Sequence, residues 1–268
     1  MTGESDYEDI LFERDGDIAW LIINREEHGN TFTFRTVREM IDALEIVRRD
    51  PVCRTVVIRG AGERFFCLGG DHAGAHADED EELFHYGTTF PVVDLYDLID
   101  KHSKPVIAMV NGFAVGGGNV LATVCDLTIA SSTAVFRQVG PMMGSFDAGF
   151  GTAYLEEAVG RKRAKEVWYL NRRYSAEEAK QLGLVNEIVE PDKLEERVRA
   201  ICADLSDRGP IALATLKASF HARHAGVPGL SRIAVDLLSQ QYYRTEESKE
   251  LGRAFREKEA PDKKRFWR

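Results

Sequence analysis

Two glycine-rich turns, each following an apolar segment, constrain the fold of this chain more than any other feature. The first reads FCLGGD at 66–71 and follows the apolar segment TVVIRG at 55–60. The second reads GFAVGGG at 112–118, after the apolar run KPVIAMVN at 104–111 and before an apolar segment with helical spacing. Short apolar runs bounded by turn residues are typical of buried strands. The pattern therefore predicts a strand, a glycine turn and a helix in that order.

These turns also predict a site that binds an oxygen atom carrying negative charge. A strand, a glycine turn and a helix N-terminus leave backbone N–H groups without intrahelical partners, and such donors suit an anion or a polarised carbonyl. A single glycine triplet would more often mark close contact between a helix and a sheet. Two such turns, each offering one N–H, provide what a two-donor oxyanion hole requires.

At these residues the chain resembles the crotonase (enoyl-CoA hydratase/isomerase) superfamily, whose signatures are an F-C-x-G-G-D-like turn and a K-P-x-I-A-x-V-x-G-x-x-x-G-G-G run. The resemblance covers almost the whole chain. It implies an acyl-CoA thioester substrate, with the N–H groups of Gly70 and Gly117 holding the thioester oxygen as it becomes an enolate. Coenzyme A would enter as part of the substrate, so no separate cofactor is expected. The residues expected to contact substrate or CoA are Leu68, Gly69, Asp71, Phe113, Val115, Gly116, Gln138, Val139, Gly140, Trp168 and Lys258.

Composition narrows the class of protein. Of the 268 residues, 44% are hydrophobic, which is ample for one sizeable core and a smaller appended unit. A net charge of −9 argues against a nucleic-acid partner. No apolar run approaches the length of a membrane span, and the first six residues do not resemble a signal peptide. A cytoplasmic location without a membrane partner is therefore expected.

The cysteines and histidines do not predict a metal site. The four cysteines, at positions 53, 67, 125 and 202, show no C-x-x-C spacing and are expected to be reduced, mostly buried thiols. His72 and His76 precede an acidic run at 78–82, but nothing else completes a set of ligands. A solvated acidic loop is the favoured interpretation.

Sequence periodicity predicts an α/β layer architecture with parallel strands. A hairpin is expected at 10–23, an amphipathic helix at 36–49, a strand at 55–60 and a short helix at 92–101, with strands at 127–130 and 134–136. A polar loop at 72–90 is expected to cover the site.

From residue 152 onward the sequence predicts almost only helices. Ser175 to Glu178 form a capping box, and Gly183 is placed to end that helix. Further helices are expected at 193–207 and 210–223. An apolar stripe on a last long helix consists of Leu230, Ile233, Ala234, Leu237 and Leu238.

The resemblance makes the predicted architecture more specific. It implies a crotonase-like spiral of ββα units at 1–205 and a C-terminal helical trimerisation region at 206–268. The assembly it implies is a homotrimer or a dimer of trimers, with the apolar stripe covering a neighbouring subunit.

The acid–base groups of the family's hydratases are missing. In hydratases two glutamates activate water, and their positions correspond to Val120 and Gly140 of this chain. Syn-addition of water to an enoyl-CoA then has no evident acid–base pair, so simple hydration is disfavoured.

The segment around Ser145 and Asp147 resembles two related branches of the superfamily. One is 1,4-dihydroxy-2-naphthoyl-CoA synthase, which closes a ring by a Dieckmann-type condensation. The other is 2-ketocyclohexanecarboxyl-CoA hydrolase, which opens a ring by cleaving a C–C bond. The shared features are the G-S-F-D segment at 144–147, Trp168, Tyr243 and Lys258.

Several positions favour the hydrolase branch. Val139 stands where the synthase has a threonine, whose hydroxyl helps to hold a bicarbonate base in one class of synthase, and Asn119 stands where the synthase has a histidine. Other positions depart from both branches, namely Arg137, Met142 and Gly29, the last where a CoA-contacting arginine is expected.

The leading hypothesis is hydrolytic C–C cleavage of a cyclic β-keto acyl-CoA. Asp147 would act as base or proton carrier, Ser145 would position the oxygen derived from the ketone, and Tyr243 would donate a hydrogen bond to it or protonate the carbanion. One alternative is the synthase reaction. The other is a non-catalytic acyl-CoA binder that kept the fold. Ser145 and Asp147 would then form only a turn or a helix cap.

Overall fold

The computed structural model describes residues 7–71, 91–143, 146–232 and 242–265, and at 223–232 it describes the backbone alone. The chain divides after Pro210 into two compact units. Within the described ranges, no helix combines the length and the apolar composition that crossing a membrane would require.

Two sheets organise the first unit. The six-stranded sheet has the order β1-β2-β3-β5-β7-β10, and its strands are parallel except for the hairpin β1–β2. Its strands are β1 (Ile10–Asp15), β2 (Ile18–Ile23), β3 (Thr55–Gly60), β5 (Val106–Val110), β7 (Leu127–Ser131) and β10 (Glu187–Val189). The four-stranded sheet has the order β4-β6-β8-β9, with only β9 antiparallel. Its strands are β4 (Phe65–Cys67), β6 (Phe113–Val115), β8 (Val135–Arg137) and β9 (Arg173–Ser175).

Helices connect these strands and form the second unit. Those of the first unit are α1 (Phe34–Arg49), α2 (Val92–Lys101), α3 (Gly117–Val124), α4 (Gly140–Met143), α5 (Leu155–Val159), α6 (Arg161–Leu170), α7 (Ala176–Leu182) and α8 (Leu194–Ser206). A π-helical turn at Phe150–Tyr154 precedes α5. The second unit contains α9 (Pro210–Arg232), which begins at the boundary, and α10 (Glu246–Glu257).

The large sheet is covered on both faces because its strands alternate between two apolar clusters. Along β3, Val56 and Ile58 face the larger cluster, which contains residues of α1, α2 and α3. Val57 faces the other cluster, together with Leu194 and Val198 of α8. Parallel strands buried on both sides give continuous apolar runs rather than alternation, as in the buried run VIAMV of β5.

The structure confirms the predicted α/β class with ββα units and C-terminal helices. The hairpin, the strand at 55–60 and the helix at 92–101 lie where the pattern predicts them, and α1 begins two residues earlier than expected. The capping box of Ser175 and the left-handed Gly183 at the end of α7 are also confirmed. All four cysteines are free and buried, as expected.

The prediction of the two glycine turns is partly wrong. Residues 113–115 lie in the predicted second turn but form β6. The strand β4 lies between the strand at 55–60 and the first glycine turn. The region after residue 152 was predicted to be almost all helical, but it contributes β9 and β10. Each of these four strands has three residues, too few for a periodic pattern, and depends on pairing with a neighbour.

The chain continues beyond residue 223 as helix to Arg232, and α10 was not predicted as a separate element. The loop at 72–90 and most of the apolar stripe (233–238) lie outside the described residues, as does the side chain of Leu230. The trimer implied by that stripe stays a prediction.

Two buried asparagines hold the corner where the chain passes from the large sheet to the small one. Asn30 donates to the carbonyls of Ala61 (3.0 Å) and Phe65 (2.8 Å) and accepts from the Arg25 N–H (3.0 Å). Asn111 donates to the Phe65 carbonyl as well, at 3.2 Å. Asn30 is fully buried with φ +52°, a left-handed conformation that asparagine tolerates better than most residues. The corner therefore places β4, and the glycine turn after it, relative to the large sheet.

We expect Asn30→Ala to lower the free energy of unfolding by about 1–3 kcal/mol, because buried polar groups lose their partners. This change is measured by urea denaturation, with unfolding monitored by circular dichroism. The exposed Asn24→Ala is the control, with an expected change within about 0.5 kcal/mol. Equal midpoints for the two variants would contradict the role assigned to Asn30.

Candidate active site

A cavity of about 660 Å³ lies where β4, β6 and β8 end. Because these three strands are parallel, their carboxyl ends meet at one edge of the small sheet. Ligands of α/β proteins commonly bind at such an edge. The structure brings together at this cavity most of the residues predicted to form the site, namely Leu68, Gly69, Gly70, Asp71, Val115, Gly116, Gly117, Gln138, Val139, Gly140, Asp147 and Trp168.

The two glycine turns touch each other at the cavity. A Cβ atom on Gly69 would lie 2.8 Å from the Gly117 nitrogen, and one on Gly117 would lie 3.4 Å from the Gly69 Cα. Gly69 has φ +95° and Gly116 has φ +55°, so the first turn needs glycine for both its conformation and its space, and the second needs it for its conformation.

The two predicted oxyanion donors remain available. Gly70 pairs with Phe32 as an isolated bridge in which the Phe32 N–H donates to the Gly69 carbonyl and the Asp71 N–H to the Phe32 carbonyl. Gly117 is the first residue of α3, where an N–H has no intrahelical partner. Among the described residues, neither N–H donates a hydrogen bond to another backbone group outside the helices and strands. Two free donors at one cavity suit a developing oxyanion.

Asp147 contributes a carboxylate to the cavity wall. The residue is half-buried. Burial raises the pKa of its carboxyl group above the usual value, and the backbone N–H of Gly151 offsets part of that rise. A carboxyl group with a raised pKa beside a substrate cavity is suited to take up and return a proton.

The other carboxylate of the cavity lining is engaged differently. Asp71 forms an ion pair with Arg25, with 2.9 Å between Oδ2 and Nη2. Arg25 also donates to the Thr31 carbonyl at 2.6 Å, which ties the pair to the chain before α1. Oδ2 of Asp71 is thereby engaged in a charge-assisted hydrogen bond. Asp71 is therefore best understood as a structural anchor for the first glycine turn.

The positions of the hydratase glutamates carry no ionisable group. Val120 lies inside α3 and is 1% exposed, and Gly140 lines the cavity at the start of α4. Among the described residues that line the cavity, Asp71 and Asp147 are the two carboxylates.

Tyr96 is a cavity residue that the sequence pattern did not single out. It lies in the apolar stripe of α2 with Leu95 and Ile99, so its spacing predicts core packing. Its hydroxyl donates to the Gly117 carbonyl at 2.9 Å. Burial, with a further contribution from the charge of Asp147, raises the pKa of this phenol well above its usual value. Tyr96 therefore stays a neutral donor that fixes the second glycine turn.

Other lining residues were also missed because they lie in loops or at helix ends, namely His28, Thr31, Phe32, Val92, Met143 and Phe146. Phe146 is 83% exposed and lies beside Asp147. Together with Met143 it makes one side of the cavity mouth apolar.

Four predicted site residues lie away from the cavity lining or outside the described residues. Phe113 is not part of the cavity lining, and its ring lies 6.1 Å from that of Phe65. Ser145 lies outside the described residues. Tyr243 and Lys258 belong to the second unit, where Tyr243 is exposed and Lys258 ends α10 in a left-handed conformation. Their roles at the site stay predictions.

The structure explains why glycine, and not the expected CoA-contacting arginine, stands at position 29. It has φ +66°, and a Cβ atom there would lie 2.5 Å from Cδ1 of Leu68, which lines the cavity. A side chain at this position would displace Leu68.

Comparison with known proteins agrees with the fold. The family model described as enoyl-CoA hydratase/isomerase matches residues 13–265. The solved structure of enoyl-CoA hydratase from Bacillus anthracis is similar, with 30% identity and a TM-score of 0.75 over 95% of this chain and 98% of that chain. Enoyl-CoA hydratase subunit I from Geobacillus kaustophilus gives 30% identity and a TM-score of 0.75 over 96% and 98%. DspI from Pseudomonas aeruginosa, at 23% identity with a TM-score of 0.77 over the full length of both chains, shares the fold.

The chain belongs to the enoyl-CoA hydratase/isomerase family. It is thus a member of the crotonase superfamily, whose enzymes act on acyl-CoA thioesters.

Proposed function

We propose that this protein opens the ring of a cyclic β-keto acyl-CoA by hydrolysis, the reaction type of 2-ketocyclohexanecarboxyl-CoA hydrolase. The observation that carries the proposal is the position of Asp147. Its carboxylate lines the same cavity as the N–H groups of Gly70 and Gly117 and has no ion-pair partner among the described residues. One proton carrier and two oxyanion donors suffice for this reaction.

The proposed steps balance without any further reagent. Asp147 takes one proton from water while the hydroxide adds to the ring ketone. The tetrahedral adduct collapses to a carboxylic acid, the Cα–C bond breaks, and its electron pair passes into the thioester enolate. Gly70 and Gly117 hold the enolate oxygen, where charge develops. Asp147 then returns the proton to Cα. The proposal assigns Ser145 to the ketone oxygen and Tyr243 to a hydrogen bond with it.

The lack of a carboxylate at Val120 and Gly140 supports ring opening over hydration of an enoyl-CoA. Hydration needs an acid and a base positioned for the two carbons of the double bond. Among the described residues of the cavity lining, Asp147 is the one carboxylate without an ion pair, since Asp71 is bound to Arg25.

The ring-closing reaction of 1,4-dihydroxy-2-naphthoyl-CoA synthase is the second candidate, because the same donors stabilise an enolate in either direction. Val139 favours the hydrolase, since the cavity lining has no hydroxyl at this position. A non-catalytic acyl-CoA binder is the third candidate.

A substrate panel distinguishes these functions. The protein is incubated with 2-ketocyclohexanecarboxyl-CoA, analogues of other ring sizes, o-succinylbenzoyl-CoA and crotonyl-CoA, and the products are analysed by mass spectrometry. Ring opening in isotopically labelled water should place one labelled oxygen in the new carboxyl group. Preferred hydration of crotonyl-CoA, closure of o-succinylbenzoyl-CoA, or tight CoA binding without turnover would each overturn the proposal in favour of the corresponding alternative.

Activity is expected to be independent of bicarbonate. Val139 has no hydroxyl that could help to hold this anion, and Asp147 already supplies a carboxylate at the cavity. Initial rates are compared in degassed buffer with and without added bicarbonate, using chloride to match the ionic strength. A large rise in rate with bicarbonate would instead support the synthase reaction.

A further inference from the structure

Gly151 lies directly against the carboxylate of Asp147. A Cβ atom on Gly151 would lie 2.9 Å from both Cγ and Oδ1 of Asp147 and 3.0 Å from its Cβ. Gly151 is not among the residues with positive φ. Glycine is therefore required here for space and not for its backbone conformation.

The carbonyl of the same glycine is held from a different element. Trp168 of α6 is 7% exposed, and its Nε1–H donates to the Gly151 carbonyl at 2.9 Å. Because an indole has a single N–H donor, this bond leaves none for a substrate. The contact joins α6 to the π-helical turn at Phe150–Tyr154.

The π-helical turn makes this support important. Single π turns are rare and often occur at functional sites, because the wider turn changes where nearby groups lie. Here the turn begins three residues after Asp147, and its second residue faces the carboxylate. A bond from a buried, rigid side chain limits the movement of that residue.

We propose that Gly151 and Trp168 are positioning residues for Asp147: the indole N–H fixes the Gly151 backbone, and Gly151 supports the carboxylate. The inference rests on the proposed role of Asp147 as proton carrier. It assigns Trp168 a task other than the substrate contact that the sequence predicts, since the ring lines the cavity while its donor is directed to Gly151.

Gly151→Ala tests the space requirement. The added methyl group must displace the carboxylate, and a misplacement of about 1 Å lowers turnover by about 100-fold. Gly252→Ala in α10 is the matched control, because among the described residues its Cβ would meet only the end of the Arg256 side chain, at 3.3 Å. Normal turnover in a folded Gly151→Ala protein would overturn the proposal.

Trp168→Phe tests the indole bond while keeping an aromatic ring in the cavity wall. Trp20→Phe is the matched control, since Trp20 is 4% exposed and its Nε1 has no hydrogen-bond partner among the described residues. In Trp168→Phe we expect kcat to fall with little change in KM. A rise in KM with kcat unchanged would indicate that Trp168 acts through substrate contact and would overturn the proposal.

The pH dependence gives a second readout. The Gly151 N–H favours the ionised carboxylate, so loosening this residue should raise the pKa of Asp147 further. A base must be ionised, and therefore the acidic limb of kcat/KM should move to higher pH in Trp168→Phe and stay in place in Trp20→Phe. The other titratable groups among the described residues of the cavity lining are His28, Asp71 and Tyr96, and they are the same in both variants.

A direct titration separates this inference from the proposed reaction. Carbon-13 NMR of aspartate-labelled protein follows the Asp147 carboxyl group, which is assigned by its loss in Asp147→Asn. If none of the cyclic substrates reacts, the proposed function fails, but an upward shift of this titration in Trp168→Phe alone would still support positioning. Identical titrations in wild type and both variants would overturn it.

Discussion

Asp147→Asn is expected to lower kcat and kcat/KM together by about 10²–10⁴-fold, the usual contribution of a general acid–base group. Asparagine keeps the shape of the side chain but cannot carry the proton between water and Cα. An interaction used only in the transition state affects both constants alike. Affinity for the CoA portion should remain, because the glycine donors are unchanged.

The raised pKa of Asp147 also predicts the stability of the same variant. Burial raises the pKa of Asp147, which means that the folded state favours the neutral form. Above this raised pKa the folded protein holds a charge that it disfavours, so the stability contributed by the neutral form is lost as pH rises through the folded pKa. Neutral asparagine should therefore leave Tm unchanged or raise it near neutral pH.

Paired measurements of Tm and turnover decide whether Asp147 carries a proton or only ends a turn or caps a helix. If Asp147 only ended a turn or capped a helix, asparagine would serve equally well and keep both stability and turnover, whereas Asp147→Ala would lose on the order of 1 kcal/mol of stability. Near-normal kcat in Asp147→Asn, with a lowered Tm in Asp147→Ala, would remove Asp147 from the mechanism and leave Ser145 or Tyr243 to move the proton.

Gly69→Ala should cost about 10²–10³-fold in kcat, the effect of losing one oxyanion donor. Its Cβ atom would lie 2.8 Å from the Gly117 nitrogen and 3.2 Å from the Val115 carbonyl oxygen, so the second glycine turn has to move. The variant also forces alanine to adopt φ +95°. Strain of this kind costs about 1–2 kcal/mol of stability by itself.

Gly16→Ala is the matched control for this strain. Gly16 has φ +61° in the hairpin turn between β1 and β2, and a Cβ atom there would meet no atom of the described residues within 4 Å. We expect this variant to lose about as much stability as strain alone costs Gly69→Ala, while its turnover per folded molecule stays normal. Denaturation and turnover are measured on both variants under the same conditions. If Gly69→Ala lost no more activity than Gly16→Ala, the two glycine turns would not form the oxyanion site.

The sequence could predict the large sheet and its helices because their apolar patterns are long. The strands β3 and β5 are buried runs of five or six residues, and α1 has a periodic stripe through Met40 and Leu44. The short strands β4 and β6 could not be predicted in this way. They exist because neighbouring strands supply hydrogen-bond partners, and because Asn30 and Asn111 fix the preceding corner.

The site was predictable where backbone conformation requires a particular residue. Gly69 and Gly116 have positive φ, and glycine in such places leaves a clear signal. Tyr96 left no such signal, because an aromatic residue in a helical stripe is expected in the core whether or not its hydroxyl serves a site. Phe113, which follows the first glycine of its motif, was predicted to contact the substrate or CoA. Its ring packs against Phe65 instead. Contacts made across the fold cannot be derived from spacing along the chain.

The proposed oxyanion donors of this protein are main-chain atoms, and no single substitution can delete a main-chain N–H except one to proline. Their geometry is inherited with the sheet corner and the two glycine turns. The proposed proton carrier, by contrast, is one side chain on a separate segment, and the positions that correspond to the hydratase glutamates hold Val120 and Gly140. Evolution can therefore retain the means of stabilising an enolate while it exchanges acids and bases one codon at a time, which allows one scaffold to acquire new reactions without first losing its hold on the thioester.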